Sequence, residues 1–263
     1  MKTILIILCV IFHFTAATAQ TALNQTDSNH LKQGKWIGKY PDGTVRYDGS
    51  FINDKPMGEW KRFHENGKLK ATLLHALNSD KVKAELFDSE GLLVAKGNFI
   101  GTLKDSVWTY YDNKAIIARE NYNNGMKNGK SFSYSADGKT LSETDWVNGR
   151  LNGLEREFYI EGNKKSETRY LDGKRQGDSN IYFETGKVQI EGSYNNDRYT
   201  GRWKFYNPDG SLKFQLDYKD GIMQNPEALD SLQLKEFKAF DETKGKLKDP
   251  ERYRENPEEY LRK

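Results

Sequence analysis

Residues 201–223 read GRWKFYNPDGSLKFQLDYKDGIM, and this stretch decides the fold. In its second half, Leu212, Phe214, Leu216 and Tyr218 alternate with polar residues, which predicts a strand with one buried face and one wet face. An Asp-Gly pair precedes this strand and another follows it. Such pairs supply the positive φ that tight hairpin turns require. The stretch therefore predicts a β-hairpin with a further turn after it.

The same pattern recurs with a period of 24 residues, and only the fourth repeat is one residue short. Regular spacing of this kind is the signature of a repeat architecture. The repeats begin at Gly34, Gly58, Val82, Ser106, Gly129, Gly153, Gly177 and Gly201. We therefore expect an all-β repeat array, in which residues 33–224 form an elongated, single-layer antiparallel sheet of eight hairpins.

Three rows of aromatic residues keep register with the period. The first row is Phe63, Phe87, Tyr111, Tyr134, Phe158, Tyr182 and Tyr206, with Tyr40 displaced by one residue. The second row is Phe51, Phe99, Tyr122, Trp146, Tyr170, Tyr194 and Tyr218, with His75 in the slot of the second repeat. A partial third row, two residues after the repeat start, is Trp36, Trp60, Trp108 and Trp203. Trp60 and Phe63 lie three residues apart, so a regular strand sends them to opposite faces. The sequence does not decide which row is exposed.

With its paired aromatics, its turn glycines and its Tyr-x-x-Gly ending, the chain resembles the MORN-repeat variant family. It looks like the bacterial relatives described as YwqK-type antitoxins. The best unit contains Gly201, Trp203, Tyr206, Gly210 and Tyr218, whereas Val82 and Ser106 replace the leading glycine and Lys114 replaces a turn glycine. The resemblance implies an extended sheet of hairpins that acts as a scaffold or partner-binding surface. For the bacterial variant it also implies antitoxin or immunity-like action.

The N-terminal 19 residues have the character of a secretory signal peptide. A charged Lys2 is followed by an apolar run from Ile4 to Phe14 and by small residues up to Ala19, after which we expect cleavage. The mature protein is therefore expected to be periplasmic, cell-surface or secreted. The single cysteine, Cys9, lies within this segment. The mature chain accordingly has no thiol for a disulfide or a thiolate metal site.

The segments that flank the repeats differ from them. Residues 20–32 are polar and without periodicity, which predicts a flexible linker. Residues 225–263 form a predicted helical tail, beginning where Asn225 precedes Pro226 and Glu227. Leu229, Leu232, Phe237 and Phe240 fall close to one face of this helix. We expect that face to cap the last hairpin, because an open sheet leaves unpaired backbone groups at its edge.

Composition and residue spacing favour binding over catalysis. The 41 basic and 38 acidic residues are evenly spread, so no strong field attracts nucleic acid. The histidines of the mature chain, His30, His64 and His75, lack metal-ligand spacing. Glu143 and Asp145 share a strand face but have the setting of a solvated surface. We therefore expect no enzyme activity, no catalytic residue, no metal and no cofactor.

The function expected from these observations is that of an exported scaffold or protein-binding module of the bacterial cell envelope. The alternatives are an antitoxin that neutralises a toxin partner, and binding to a glycan or a membrane surface. The candidate partner-binding residues are aromatic side chains of the Trp row and two of their neighbours. They are Trp36, Trp60, Trp108, Tyr110, Trp203 and Phe205. The identity of the partner does not follow from the sequence.

Overall fold

The computed structural model describes residues 22–77 and 79–244, in which nineteen β-strands and one α-helix are found. The chain divides into two compact units, one ending at Gly91 and the other beginning at Leu92. The predicted signal peptide, residues 1–19, lies outside the described residues, as do 245–263 of the tail. The predicted all-β repeat architecture is confirmed, because each strand lies antiparallel to its neighbours.

The first unit is a meander in which each strand pairs with the next one along the chain. Its strands are β1 (Gln25–Thr26), β2 (Lys32–Lys39), β3 (Val45–Ile52), β4 (Lys55–Phe63), β5 (Leu69–His75) and β6 (Lys81–Phe87). β1 lies within the predicted flexible linker, since Gln25 and Thr26 pair with Gln33 and Lys32. From residue 22 onwards, this segment is therefore not the flexible linker that the sequence predicts, because it contains a paired strand. Backbone pairing requires no apolar periodicity, so the sequence pattern did not signal it.

The second unit is also a meander. Its strands are β7 (Leu93–Ile100), β8 (Leu103–Asp112), β9 (Ala115–Asn123), β10 (Met126–Lys127), β11 (Gly129–Tyr134), β12 (Thr140–Val147), β13 (Arg150–Phe158), β14 (Lys164–Leu171), β15 (Lys174–Tyr182), β16 (Val188–Asn195), β17 (Arg198–Tyr206), β18 (Leu212–Lys219) and β19 (Ile222–Met223). The helix α1 (Glu227–Lys244) follows and contacts β18. β9 pairs with both β10 and β11, and the other neighbours pair in chain order.

The turns have the backbone geometry that their sequences predict. Asn148 and Gly149 both have positive φ, 47° and 79°, as a two-residue hairpin turn of the mirror-image type requires. The missing residue of the fourth repeat lies in the turn between β8 and β9, where Asp112 pairs with Ala115. Asn113 and Lys114 form this shortened turn with φ of 44° and 73°. Lys114 thus occupies a left-handed conformation that glycine adopts more readily.

A β-bulge recurs in the hairpin of nearly every repeat. In the first repeat Gly38 pairs with Tyr47 and Lys39 with Val45, so Arg46 is the extra residue. In the second repeat the same shift leaves Lys70 as the extra residue. A bulge bends the strand and re-aims the side chains next to it. The residue twelve places after the repeat start therefore has an irregular position that simple alternation does not predict.

A side chain six places after the repeat start links some adjacent repeats. The Tyr40 hydroxyl donates a hydrogen bond of 2.8 Å to the carbonyl oxygen of Phe63, and the Tyr159 hydroxyl donates one of 2.8 Å to that of Tyr182. His64 Nε2 lies 3.1 Å from the carbonyl oxygen of Phe87. Tyr40, which the sequence pattern treats as a displaced member of the first row, therefore belongs to this separate row of links.

Candidate binding site

Within each unit, the Trp row and the second aromatic row lie on the same face of the strands, here called the Trp face. Phe51 packs edge-on against Trp60 with ring centroids 4.7 Å apart, and Phe99 packs on Trp108 at 4.8 Å. Tyr194 and Trp203 repeat the arrangement at 5.1 Å. Edge-to-face contacts at these distances are the preferred geometry of aromatic pairs. In each unit the two rows thus form a packed aromatic layer on this face.

Each buried tryptophan of the Trp row lies on a glycine of the preceding repeat. The indole of Trp60 covers Gly49, that of Trp108 covers Gly97, and a Cβ at either glycine would overlap the ring. The indole N–H of Trp60 donates a 3.0 Å hydrogen bond to the carbonyl oxygen of Ser50. Burial of an indole is favourable when its N–H finds an acceptor in this way.

The middle repeats of the second unit replace this apolar pair by polar residues. Gly192 lies under Trp203, but Thr168 stands at the equivalent position one repeat earlier and faces Ser179. The two hydroxyls are 2.8 Å apart, and Ser179 is buried. This position is therefore a glycine when the next repeat supplies a tryptophan, and a larger residue when the next repeat does not.

A hydrogen-bonded cluster occupies the Trp face next to Trp108. The Tyr122 hydroxyl donates to Glu120 at 2.6 Å, and the Lys127 ammonium group donates to the other carboxylate oxygen. Burial opposes ionisation of Glu120, but these hydrogen bonds outweigh it and lower the pKa of Glu120. Burial raises the pKa of Tyr110 and Tyr122. At neutral pH the cluster therefore holds an ionised carboxylate between protonated phenols, which is a fixed network.

The opposite face, here called the ionic face, carries cross-strand ion pairs. Glu143 and Asp145, the carboxylate pair noted in the sequence, both contact the Lys130 ammonium group. Arg156 lies 3.3 Å from Glu143 and 2.6 Å from Glu167. These side chains remain partly exposed, so each pair contributes little to stability. The carboxylates are neutralised by cations rather than set against a substrate cavity.

The first-row aromatics Tyr206 and Tyr134 lie on the ionic face. The Tyr206 hydroxyl donates to Glu191 at 2.8 Å, and the Lys204 ammonium donates to the same oxygen at 2.7 Å. Tyr134 stacks on Phe132 in a similar position. The expectation that aromatics three residues apart occupy opposite faces is therefore confirmed for Trp203 and Tyr206.

Two grooves on the Trp face occupy equivalent places in different repeat pairs. The first, of about 390 Å³, is lined by Tyr40, Arg46 and Tyr47 of the first repeat and by Arg62 and Lys70 of the second, together with Lys32, Phe51 and Trp60. The second, of about 290 Å³, is lined at the same repeat positions by Phe183, Gln189 and Ile190 and by Phe205 and Lys213. Concave sites with aromatic walls are where proteins usually bind ligands.

The six candidate partner-binding residues differ in burial. Trp60, Trp108 and Trp203 are only 6%, 0% and 5% exposed and belong to the core. Trp36, Tyr110 and Phe205 are half-buried, and Phe205 lines the second groove. Contact of these six residues with a partner stays a prediction. Because the three core tryptophans are buried, they support the Trp face from within. The three half-buried residues expose surface that a ligand can contact.

Sequence reasoning missed the cations of the first groove. Arg46 and Lys70 are the extra residues of two bulges, and strict alternation gives no reason to place them beside Trp60. The signal that could have found them is the basic residue twelve places after two successive repeat starts.

The described residues, 22–77 and 79–244, contain no group of three or more His, Cys, Asp or Glu side chains arranged to hold a metal ion. Among them, no helix combines the length and the apolar character needed to cross a bilayer.

The MORN repeat variant family matches three segments of the chain, residues 58–75, 175–196 and 199–220. The first segment lies in the second repeat, and the other two begin two residues before the seventh and eighth repeats and continue into them. The 24-residue period extends the pattern to the other repeats. None of the curated proteins compared with the chain is significantly similar to it. MORN repeats generally act as binding or scaffold modules that mediate protein or membrane interactions. The three matched segments are thus similar to MORN repeat variants, and the hairpins between them share the same pattern.

Proposed function

We propose that the chain is a non-catalytic binding module that holds a protein partner on its Trp face. The observation that supports this most directly is the recurrence of a groove at the same repeat positions, lined in one place by Arg62 and in another by Phe205. The repeat scaffold supplies the concave shape, and variable side chains supply its chemistry. A surface of this design suits recognition of an extended partner better than conversion of a small substrate.

We further propose that the protein acts outside the cytoplasm, in the bacterial cell envelope. This rests on the sequence of residues 1–19, with its charged start, apolar run and small residues before Gln20. Export also argues against the antitoxin alternative, because neutralising an intracellular toxin requires a cytoplasmic protein.

A site-specific photo-crosslinking experiment tests the proposed face. A photoreactive phenylalanine replaces Arg62 or Phe205, which line the two grooves, or Lys61 or Lys204, their neighbours on the opposite face. Each variant is irradiated in cell-envelope extract, and cross-linked products are identified by mass spectrometry. We expect one recurring protein adduct from position 62 or 205 and none from 61 and 204. Adducts from 61 and 204 alone, or none from any position, would contradict the proposal.

A further inference from the structure

The first groove concentrates positive charge. Arg46 on β3, Arg62 on β4 and Lys70 on β5 line it from three consecutive strands, and Lys32 lines it from β2. No acidic residue is part of its lining. Across residues 22–77 and 79–244, none of the four cations forms an ion pair with a carboxylate, although the ionic face pairs many of its cations. Unpaired cations converging on one concavity favour an anionic ligand.

The fold itself does not require this charge. The second groove has Gln189 where the first has Arg46, and Phe205 where the first has Arg62. Only Lys213 retains the cation that Lys70 supplies. The same strand register and bulge thus accommodate a largely neutral lining. The cations of the first groove are therefore not explained by packing.

An aromatic floor lies beneath the cations. Tyr47 stacks on Trp60 with ring centroids 5.7 Å apart, and Phe51 packs edge-on against the same indole. The Arg46 guanidinium lies 5.5 Å from the Tyr47 ring, and the Lys32 ammonium lies 4.9 Å from the Phe51 ring. The groove therefore presents cations beside apolar surface, and a ligand can satisfy both only if it joins acidic groups to apolar ones.

The donors and acceptors of the groove narrow the ligand class. Lysine and arginine side chains only donate hydrogen bonds. The lining contains no carboxylate or amide side chain to accept from a ligand. A sugar would bring many hydroxyl donors, for which the side chains of the lining offer only the hydroxyl oxygens of Tyr40 and Tyr47 as acceptors, whereas a carboxylate only accepts. Carboxylates also match arginine in bidentate geometry.

We propose that this groove binds an acidic peptide segment, with its carboxylates on Arg46, Arg62 and Lys70 and a neighbouring aromatic side chain on Tyr47 and Phe51. This names the class of partner segment and rests on the proposed function. Adjacent strands lie roughly 4.8 Å apart, so the three cations extend over roughly 10 Å across the sheet. An extended peptide places alternate side chains roughly 6.8 Å apart, which lets two or three acidic residues reach them.

Fluorescence anisotropy with a labelled peptide, Glu-Phe-Glu-Glu-Phe-Glu, tests the proposal on the full mature chain. The test variant is Arg46→Gln with Lys70→Gln. The matched control is Lys61→Gln with Lys165→Gln, which removes two cations that line neither groove. We expect the Kd to rise about tenfold or more in the test variant and to stay within about twofold in the control. The corresponding Gln-Phe peptide should bind at least about tenfold more weakly than the acidic one.

Two competitors distinguish other anionic ligands. Polygalacturonate and vesicles of phosphatidylglycerol in phosphatidylcholine are added at matched charge. Weak competition by both supports the peptide, whereas tighter binding of either competitor overturns it. An equal loss of peptide affinity in the test and control double variants also overturns the proposal. So does a failure of the wild-type chain to bind the acidic peptide. A photo-adduct at position 205 in that case would leave the proposed function standing while this inference fails.

Discussion

At the scale of single residues, the Trp face is organised by a pairing between repeats. Gly49, Gly97 and Gly192 each precede a repeat that supplies a tryptophan, and each lies beneath its ring. Their backbone geometry is extended, so the missing side chain serves close approach rather than a turn. Filling such a space forces overlap in a packed layer, which costs roughly 1 to 3 kcal/mol.

This pairing predicts strong coupling between Gly192 and Trp203. Gly192→Thr and Trp203→Ser should each be destabilising, the second by about 3 to 5 kcal/mol. The double variant recreates the Thr168 and Ser179 pair of the preceding repeat, whose hydroxyls are hydrogen-bonded. The double variant should lose less free energy of unfolding than the two single variants together, by at least about 1 kcal/mol. Denaturant unfolding of the wild type and the three variants measures these losses.

The matched control combines Gly192→Thr with Trp108→Ser, whose indole lies on Gly97 instead. These two losses should add. Additivity in the Gly192 and Trp203 pair itself would refute the coupling.

His75 predicts a pH dependence of stability. It occupies an aromatic slot 6.2 Å from the Trp60 ring, and burial, with the nearby Arg62 charge, lowers the pKa of His75 below 6.5. The unfolded chain then binds a proton more readily than the folded one. Stability should therefore fall as the pH drops below about 6.5, until the folded-state pKa is passed. His75→Phe, which restores the aromatic of other repeats, should flatten this part of the profile.

Unfolding measured between pH 5 and pH 8 tests the effect of His75, with His30→Phe as the control. His30 lies in an exposed turn outside the aromatic rows. If the free energy of unfolding changes with pH equally in the wild type and in His75→Phe, His75 does not contribute to the pH dependence of stability.

At the scale of elements, the C-terminal end shows how an edge strand is closed. The Asn225 side chain accepts a 2.8 Å hydrogen bond from the Asp217 amide and donates one of 3.3 Å to the Gln215 carbonyl oxygen. The sequence predicts Asn225 as a helix cap, but its side chain bonds the edge of β18 instead. Helix α1 begins at Glu227, and Leu229 and Leu232 are half-buried. The predicted contacts of Phe237 and Phe240 lie outside the described side chains.

We predict that truncation after Gln224 lowers the melting temperature and promotes self-association. The truncated chain leaves the Asp217 amide and the Gln215 carbonyl group free to pair with another chain. Asn225→Ala in the full-length chain should reproduce part of the decrease in melting temperature. Thermal melting and light scattering measure both effects, and truncation after Lys244 is the control. A monomeric truncated chain with unchanged melting would show that this segment is not a cap.

At the scale of the whole molecule, stability depends on packing within single sheet layers. The only fully buried large side chain among the described residues is Trp108, and most strand residues are half-buried. The single cysteine lies in the first 19 residues, so the proposed mature chain has no disulfide. Aromatic rings supply much of the buried apolar area because they cover more surface per residue than aliphatic side chains.

Export predicts that the mature protein begins at Gln20. Intact mass measured on protein from the native host should correspond to residues 20–263. Protein recovered from the cytoplasmic fraction of a secretion-deficient strain should retain the full mass and serves as the reference. Retention of residues 1–19 by the protein in the envelope fraction would contradict the export proposal.

The hairpins, their number and the helix after them follow from the sequence because they depend on local interactions. Turn pairs such as Asn148-Gly149 and the alternation of Leu212 to Tyr218 act within a few residues. The binding face is different. The placement of Trp203 on Gly192, of Arg46 beside Trp60 and of the Asn225 side chain on β18 joins positions ten or more residues apart or requires a bulge. Alternation assigns a side chain to a face, but a bulge changes that assignment, and only cross-strand register decides which residues become neighbours.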